Sequence, residues 1–338
     1  MLETVQATAD IDLVGDPYDV AEVVARDPNL WHRLGHDQAR LNPDATGLAS
    51  LRLRRARYGD HSGRLQVIAE ANLTRLLYGP EGKALTCPSG SIEDGLTAML
   101  EETQKALPSV APRTFSAWQT SRVDASATWQ FQQLDSAPLF DALVVAFFSL
   151  HGSGRGKSAT SRPGPRSLRY DSTAECQVRA YSKTDEALAK GSPIPATITG
   201  ELLRIEEQTT GRTCRKHYGE TLEDLRSGGD TVARQRLHDW LDMFGSAALA
   251  GGQREVFMRL RMGGMEADRA ALLSGPAMML RTGGIDALTR EGINRRTAYR
   301  WAAEIRAAVP DDAWAEVLGI PLDLDDAAFA DAHVARVR

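Results

Sequence analysis

Three short segments constrain the chain more than anything else in it: Arg122-Val123-Asp124, Arg179-Ala180-Tyr181-Ser182-Lys183 and Arg204-Ile205-Glu206. In each, polar residues alternate with small or apolar ones, the period-two pattern of a strand with two unlike faces. Laid side by side, the three strands put arginines, a tyrosine, a lysine and two carboxylates on one face. Val178, Leu203 and Ile205 fall on the other. A sheet of this kind buries one face and leaves the other wet. The expectation is therefore an open polar face suited to chemistry on a phosphate.

The flanking sequence supplies the rest of a layered domain. Met1–Leu13 alternates as a first strand, and Asp16-Pro17 starts a helix over 18–26 that stops before Asp27-Pro28. His32 and His36, four apart, could share a helical face; without a further ligand nearby they are structural. Leu51–Tyr58 and Arg64–Tyr78 read as paired strands around a Gly59–Gly63 turn. Ser91-Ile92-Glu93-Asp94 resembles a capping box ahead of a helix over 92–107. A strand around Arg122–Asp124 and an apolar helix over 139–150 follow. The fold class expected is α+β: a mostly antiparallel sheet, helices on one face, the polar face open.

Charge is unevenly spread. The whole chain of 338 residues carries −5, but residues 1–50 carry −6 and residues 310–338 carry −5, so the body between them is +6. Local charge, not the total, decides contact with phosphate. Three widely spaced cysteines give neither a disulfide framework nor a zinc spacing. No apolar run reaches the ~20 residues that span a bilayer, and the N-terminus lacks a basic-then-apolar signal, so a cytoplasmic protein without membrane partners is expected.

Residues 152–169 form a glycine- and proline-rich stretch with Arg155, Lys157, Arg162, Arg166 and Arg169 and no acidic residue. Gly156-Lys157-Ser158 is not a phosphate loop, because His151 stands where the first glycine must be and prolines occupy the helix that must follow. A basic flap that tracks a nucleic-acid backbone is expected instead. Beyond Glu207 the chain reads as helices over 222–226, 231–244 and 253–261 separated by glycine breaks, with a domain boundary at 246–252. That divides the chain into a domain over 1–245 and a helical one over 253–338. Within the latter, residues 285–308 resemble a helix-turn-helix: a short helix, Glu291-Gly292-Ile293-Asn294, then a helix bearing Arg295, Arg296, Tyr299 and Arg300 for DNA contact.

In their order and spacing, these stretches resemble the replication-initiator endonucleases of filamentous phages and related rolling-circle plasmids. The matching features run from Ala71-Asn72-Leu73-Thr74-Arg75-Leu76-Leu77-Tyr78-Gly79 through Ser121–Asp124, the basic stretch, Arg179–Lys183 with Glu186, and Leu203–Glu206 to the arginine–tyrosine helix. The resemblance implies an enzyme that nicks one strand of an origin through a 5′-phosphotyrosyl intermediate, leaves a 3′-hydroxyl, and later rejoins the strand. It implies Tyr181 as nucleophile, Lys183 by the scissile phosphate, and magnesium or manganese held by Asp124 and Glu206. Glu186 is either a third ligand or a solvated acid, and Asp124 is alternatively an ion-pair partner of Arg122 or Arg204. Implied partners are origin DNA, host helicase and polymerase, and a further copy of the chain at the origin. The histidine–hydrophobe–histidine triplet of many such nucleases is absent here.

The chemistry of the residues is compatible. A tyrosine with an ordinary pKa of ~10 must lose or share its proton to attack, and Arg179 and Lys183 are expected to favour the phenolate. Arg122, Arg204, Arg162 and Arg166 are expected to bind phosphates. Tyr218, beside Lys216 and His217, is the second candidate nucleophile. The competing function is a DNA-binding regulator that uses the C-terminal helices without cutting.

Overall fold

The computed structural model describes residues 1–11, 31–35, 38–41, 47–55, 64–108, 111–131, 143, 146, 158–163, 166–309, 322–334 and 336. Ten strands form one sheet: β1 (Leu2–Ile11), β2 (Trp31–Gly35), β3 (Gln38–Leu41), β4 (Ser50–Arg55), β5 (Leu65–Asn72), β6 (Gln119–Phe131), β7 (Ser158–Pro163), β8 (Arg166–Asp171), β9 (Cys176–Ser182) and β10 (Glu201–Thr210). Their order across the sheet is β2-β3-β4-β5-β1-β6-β10-β9-β8-β7, and every pair with a recorded register is antiparallel. The α+β class with an antiparallel sheet is as the alternation required, but the polar face is not open as expected: Glu3, Asp124, Arg204 and Glu206 on it are buried, and the turn after α1 (Leu73–Gly82) supplies the Lys83 and Leu85 carbonyls to Arg204. Among the described residues, no helix is long and apolar enough to cross a membrane.

Strand alternation sorts the side chains into two faces. Val5, Ala7, Leu53, Val67, Ala69, Val123, Ala125, Leu168, Val178, Ala180, Leu203 and Ile205 are buried on one. Over it lies α5 (Leu222–Met262), whose Leu222, Leu225, Ala233 and Leu237 recur at helical spacing and are fully buried. Gly229 permits the close approach: a Cβ there would lie 2.7 Å from Leu225 Cδ1 and 3.0 Å from Leu2 Cδ1. The other helices of this part are α1 (Leu73–Gly82), α2 (Ile92–Ala106), α3 (Lys183–Lys190), α4 (Gly211–Tyr218) and, near the C-terminus, α8 (Ala330–His333).

Several sequence expectations change. The strand that was to run to Tyr78 stops at Asn72, whose side chain accepts from the Arg75 N–H at 2.8 Å and starts α1. Ser91 makes no side-chain cap on α2. Trp31–Gly35 is a strand, so His32 and His36 do not share a helical face; His36 and the helix over 18–26 lie outside the described residues. Of the helix over 139–150 only Leu143 and Ala146 are described, both helical and buried. They belong to the second compact unit. Part of the basic flap is strand: β7 and β8 occupy the sheet edge that a loop was expected to fringe.

The three helices expected over 222–261 are one. Gly228 and Gly229 keep negative φ, so the backbone freedom of glycine is not used there. The division into compact units falls inside this helix, at Asp239/Trp240, and not at 246–252. Residues 322–338 also return to the sheet unit instead of ending the helical domain. The reason is backbone pairing: Ala328 N–H donates to Thr128 O at 2.7 Å, Ala330 N–H to Thr86 O at 3.0 Å, and Trp129 Nε1 to Asp323 O at 2.6 Å.

The second unit contains α6 (Ala267–Arg290) and α7 (Arg295–Ala308). Val256, Leu260, Ala270, Leu273, Ala277, Ile305 and Val309 form its core, and Arg269 holds Glu304 through two hydrogen bonds of 2.6 and 2.5 Å. Gly284 kinks α6 with φ 62°, so residues 285–290 form a separate short segment, and Gly292 turns the chain with φ 80°. Asn294 then caps α7 by accepting from the Arg296 N–H at 2.9 Å. Its removal in Asn294→Ala is expected to cost about 1 kcal/mol, read as a lower urea midpoint for the transition that reports on this unit.

Candidate active site on the polar face

The opposite face gathers charge from three neighbouring strands. In the β10–β9 ladder Arg204 stands across from Tyr181, and Glu206 from Arg179; in the β10–β6 ladder Glu206 faces Ser126, and Gln208 faces Asp124. Tyr181, Glu206 and Asp124 thus meet on adjacent strands β9, β10 and β6, as alternation predicted. Glu207 points the other way and pairs with Arg236 of α5.

The centre is the contact between phenol and carboxylate. Tyr181 Oη donates to Glu206 Oε2 at 3.0 Å. Arg179 Nη1 lies 3.9 Å from Glu206 Oε1, and its Nη2 donates to Gln177 at 2.9 Å. Lys183 is not on the strand. Ser182 ends β9 by accepting from the Asp185 N–H at 3.1 Å, and Lys183 opens α3. Its Nζ nevertheless comes back to 5.5 Å from the centroid of the Tyr181 ring, so the cation that the sequence placed beside the phenol is there by another route.

Around this pair lies a buried network. Arg122 grips Asp124 through two bonds, Nε to Oδ1 at 2.8 Å and Nη2 to Oδ2, and reaches Glu70 at 3.3 Å. Gln208 donates to Asp124 Oδ1 at 3.2 Å. The second reading of Asp124, as partner of Arg122, is the observed one. Arg204 is 0% exposed: Nη1 pairs with Glu3, Nε donates to Thr128 Oγ1 at 2.8 Å, and Nη2 donates to the carbonyls of Lys83 and Leu85 at 3.0 Å each. Arg204 therefore cannot reach DNA, contrary to its sequence assignment, because the fold uses all three nitrogens. Glu3, which the sequence did not single out, also accepts from Asn72 at 3.0 Å.

The charges shift one another. Burial, then the neighbouring Asp124 and Glu3, push Glu206 up to about 7 against the pull of Arg204 and Arg179. Burial raises Asp124 as well, against Arg122. Burial alone would raise Glu3, yet the charges of Arg204 and Lys183 bring it below the carboxylate range. Burial and the Glu206 charge hold the Tyr181 phenol well above 10, which outweighs Arg204. The expected stabilisation of a phenolate is thus reversed: the phenol keeps its proton and donates it in a hydrogen bond to a carboxylate whose pKa lies near neutrality.

The carboxylates assigned to a metal do not converge. Glu186 is held at 2.6 Å by both Lys183 and Lys190, and Asp124 is clamped by Arg122. Among the described residues no three of His, Cys, Asp and Glu come together as a cation site. As arranged, the donor set Asp124, Glu206 and Glu186 does not fit one magnesium or manganese ion. Lys83, Lys183 and Lys190 instead line a hollow beside Glu186, a cationic setting suited to phosphate.

The remaining assignments divide. Arg166 of β8 is tied to Asp185 and Glu201, at 3.3 and 3.1 Å. Arg162 lies on β7, while Arg155 and Lys157 lie outside the described residues. Arg295, Arg296, Tyr299 and Arg300 are all exposed on the first turns of α7. The Tyr218 phenol is 3% exposed, its oxygen has no hydrogen-bond partner, and Glu207 and Arg236 of the other face surround it. It is not placed to attack a bound strand.

Two expectations follow from the network. Glu3→Ala leaves Arg204 buried without its counter-charge and is expected to cost about 3–5 kcal/mol, read by urea denaturation. Because Glu206 has a folded-state pKa of about 7 against an ordinary 4.5, its favourable contribution is complete below pH ~4.5 and is lost as pH rises through 7. Glu206→Gln has no such loss. It is expected to gain on wild type between pH 5 and pH 8 by on the order of 3 kcal/mol; equal pH dependence of the two would contradict the assignment. Compared with known families and with curated proteins, the chain matches no family model and no curated sequence.

Proposed function

We propose that this face belongs to a DNA strand-nicking and rejoining enzyme that initiates rolling-circle replication. The supporting observation is the 3.0 Å hydrogen bond from Tyr181 to Glu206, a carboxylate whose pKa of about 7 suits a general base. In the proposed step Tyr181 Oη attacks a backbone phosphorus as its proton passes to Glu206. A phosphorus–Oη bond forms, the bond to the 3′ oxygen breaks, and that oxygen leaves as the 3′-hydroxyl after taking up a proton. Rejoining is the reverse, with the 3′-hydroxyl as nucleophile and Glu206 returning a proton to the phenol. Arg179, 41% exposed beside Glu206, and Lys183 above the ring offset the charge that develops on the phosphate.

The second reading, a DNA-binding regulator that does not cut, is favoured by the exposed arginines and Tyr299 of α7. One assay separates the two. Supercoiled DNA carrying the chain's own gene and flanks is incubated with the protein, with and without magnesium. Nicked circles with protein attached to the 5′ end are expected from wild type, and none from Tyr181→Phe. Glu206→Gln is expected to slow nicking by roughly 10²–10⁴-fold and to abolish the rise in rate that wild type shows as pH passes 7. Unbroken DNA bound by wild type under all conditions would leave the regulator.

A further inference from the structure

The order of strands in the sheet repeats. From the centre outward one half runs β1-β5-β4-β3-β2 and the other β6-β10-β9-β8-β7. In each, a central strand comes first in sequence and the last strand returns to pair with it. A local two-fold axis at the Val5–Val123 pair relates the halves. Three further observations agree with it. Each central strand carries one extra residue in the β1–β6 ladder, Glu3 and Ser121, and the axis exchanges them. It carries the pair Gln6–Glu70 onto Asp124–Gln208. It also carries Asn72 onto Thr210, and at both places the strand passes directly into a helix, α1 or α4.

Followed outward, the registers assign each residue of the site a counterpart. Arg52 stands where Arg179 does, and Arg54 stands where Tyr181 does. Arg40 opposite Arg52 matches Arg169 opposite Arg179. Glu206, however, corresponds to Ile68. The first half therefore lacks both nucleophile and base but keeps the arginines, and Arg54 and Arg40 are exposed. Arginines facing each other across a ladder repel. Among the described residues the Arg52 guanidinium pairs with Glu70, at 3.9 Å, and its Nε is buried without a hydrogen-bond partner.

We propose that the first half is a chemically silent copy of the active half and holds a second stretch of the DNA strand, by its phosphates, on Arg40, Arg52 and Arg54. This deepens the nicking reading and rests on it for the identity of the ligand. A phosphate between the facing guanidiniums of Arg40 and Arg52 offers each a charged acceptor and cancels their repulsion. The registers place both sets of positions on one side of the sheet; Glu3, Asp124, Arg204 and Glu206 at its centre are buried, but Arg40 and Arg54 of one half and Arg179 of the other reach the surface, so one strand of DNA can run between them.

The test measures binding of a fluorescein-labelled single-stranded 30-mer by anisotropy as a function of salt, in full-length Tyr181→Phe protein so that nothing is cut. Adding Arg52→Gln and Arg54→Gln is expected to weaken binding tenfold or more. It should also lower the slope of log affinity against log salt by roughly 1.4, about 0.7 for each phosphate contact removed. Arg52→Lys with Arg54→Lys is expected to keep most of the slope. Should the Gln pair fold poorly, Arg40→Gln, at an exposed position, is expected to lower the slope by roughly 0.7. Affinity and slope unchanged in all of these would overturn the proposal, even for a chain that nicks. Conversely, losses as expected in a chain whose wild type never nicks would sink the active-site reading and leave the phosphate-binding half standing.

Discussion

Arg204 and Glu3 hold the site in shape. Their pair joins the central strand β1 to β10, and the remaining nitrogens of Arg204 tie in β6 through Thr128 and the turn after α1 through two carbonyls. Burying two charges is expensive, and an apolar pair of similar volume often does as well. What the ion pair adds is geometry. Five donors in a planar fork admit few arrangements, and the one found puts a fixed positive charge directly across the ladder from Tyr181. The same charge opposes the burial that raises the Tyr181 phenol, and it helps to keep Glu3 ionised.

From that arrangement the division of labour among the carboxylates follows. Three of them, Glu3, Asp124 and Glu206, are buried on three adjacent strands. Glu3 has Arg204 and Asp124 has Arg122, each through a close contact. Among the described residues Glu206 has a looser set, Arg179 at 3.9 Å, a neutral phenol and the more distant charge of Arg204. Where like charges crowd in a low-dielectric place, the group with the weakest partner retains the proton. Glu206 is that group, and it is the one bonded to the tyrosine. The carboxylate that titrates near neutrality is thus selected by what its neighbours do not offer it.

Much of this was legible in the sequence because alternation is a local signal. Arg122-Val-Asp124, Arg179-Ala-Tyr181 and Arg204-Ile-Glu206 each state which side chains share a face, and neighbouring strands then bring them together. What alternation could not give was depth. Nothing in Arg204-Ile205-Glu206 tells that its arginine is enclosed while Arg179 is half exposed, since that depends on Glu3, two hundred residues away. Local signals also competed. Ser182 reads as strand but caps α3, which moves Lys183 off the strand, and the glycines of α5 read as breaks although one serves close packing. Gly284 and Gly292 did act as punctuation, because both adopt positive φ, which other residues avoid.

The repeat was invisible in the sequence for a related reason. Register, not residue identity, carries it: Ile68 answers to Glu206 and Arg54 to Tyr181. The exchange is physically coherent. A buried carboxylate at position 68 would need its own counter-charge and would raise the cost of folding the first half; isoleucine removes that cost and the reactivity together. Without an acid beneath it, Arg54 stays at the surface, bonded at 3.2 Å to Gln66, the residue that matches Arg204. Gln66 needs no buried anion, and so no second Glu3 is required. A sheet built from two such halves concentrates its desolvation cost in the one that carries the buried carboxylates and the tyrosine.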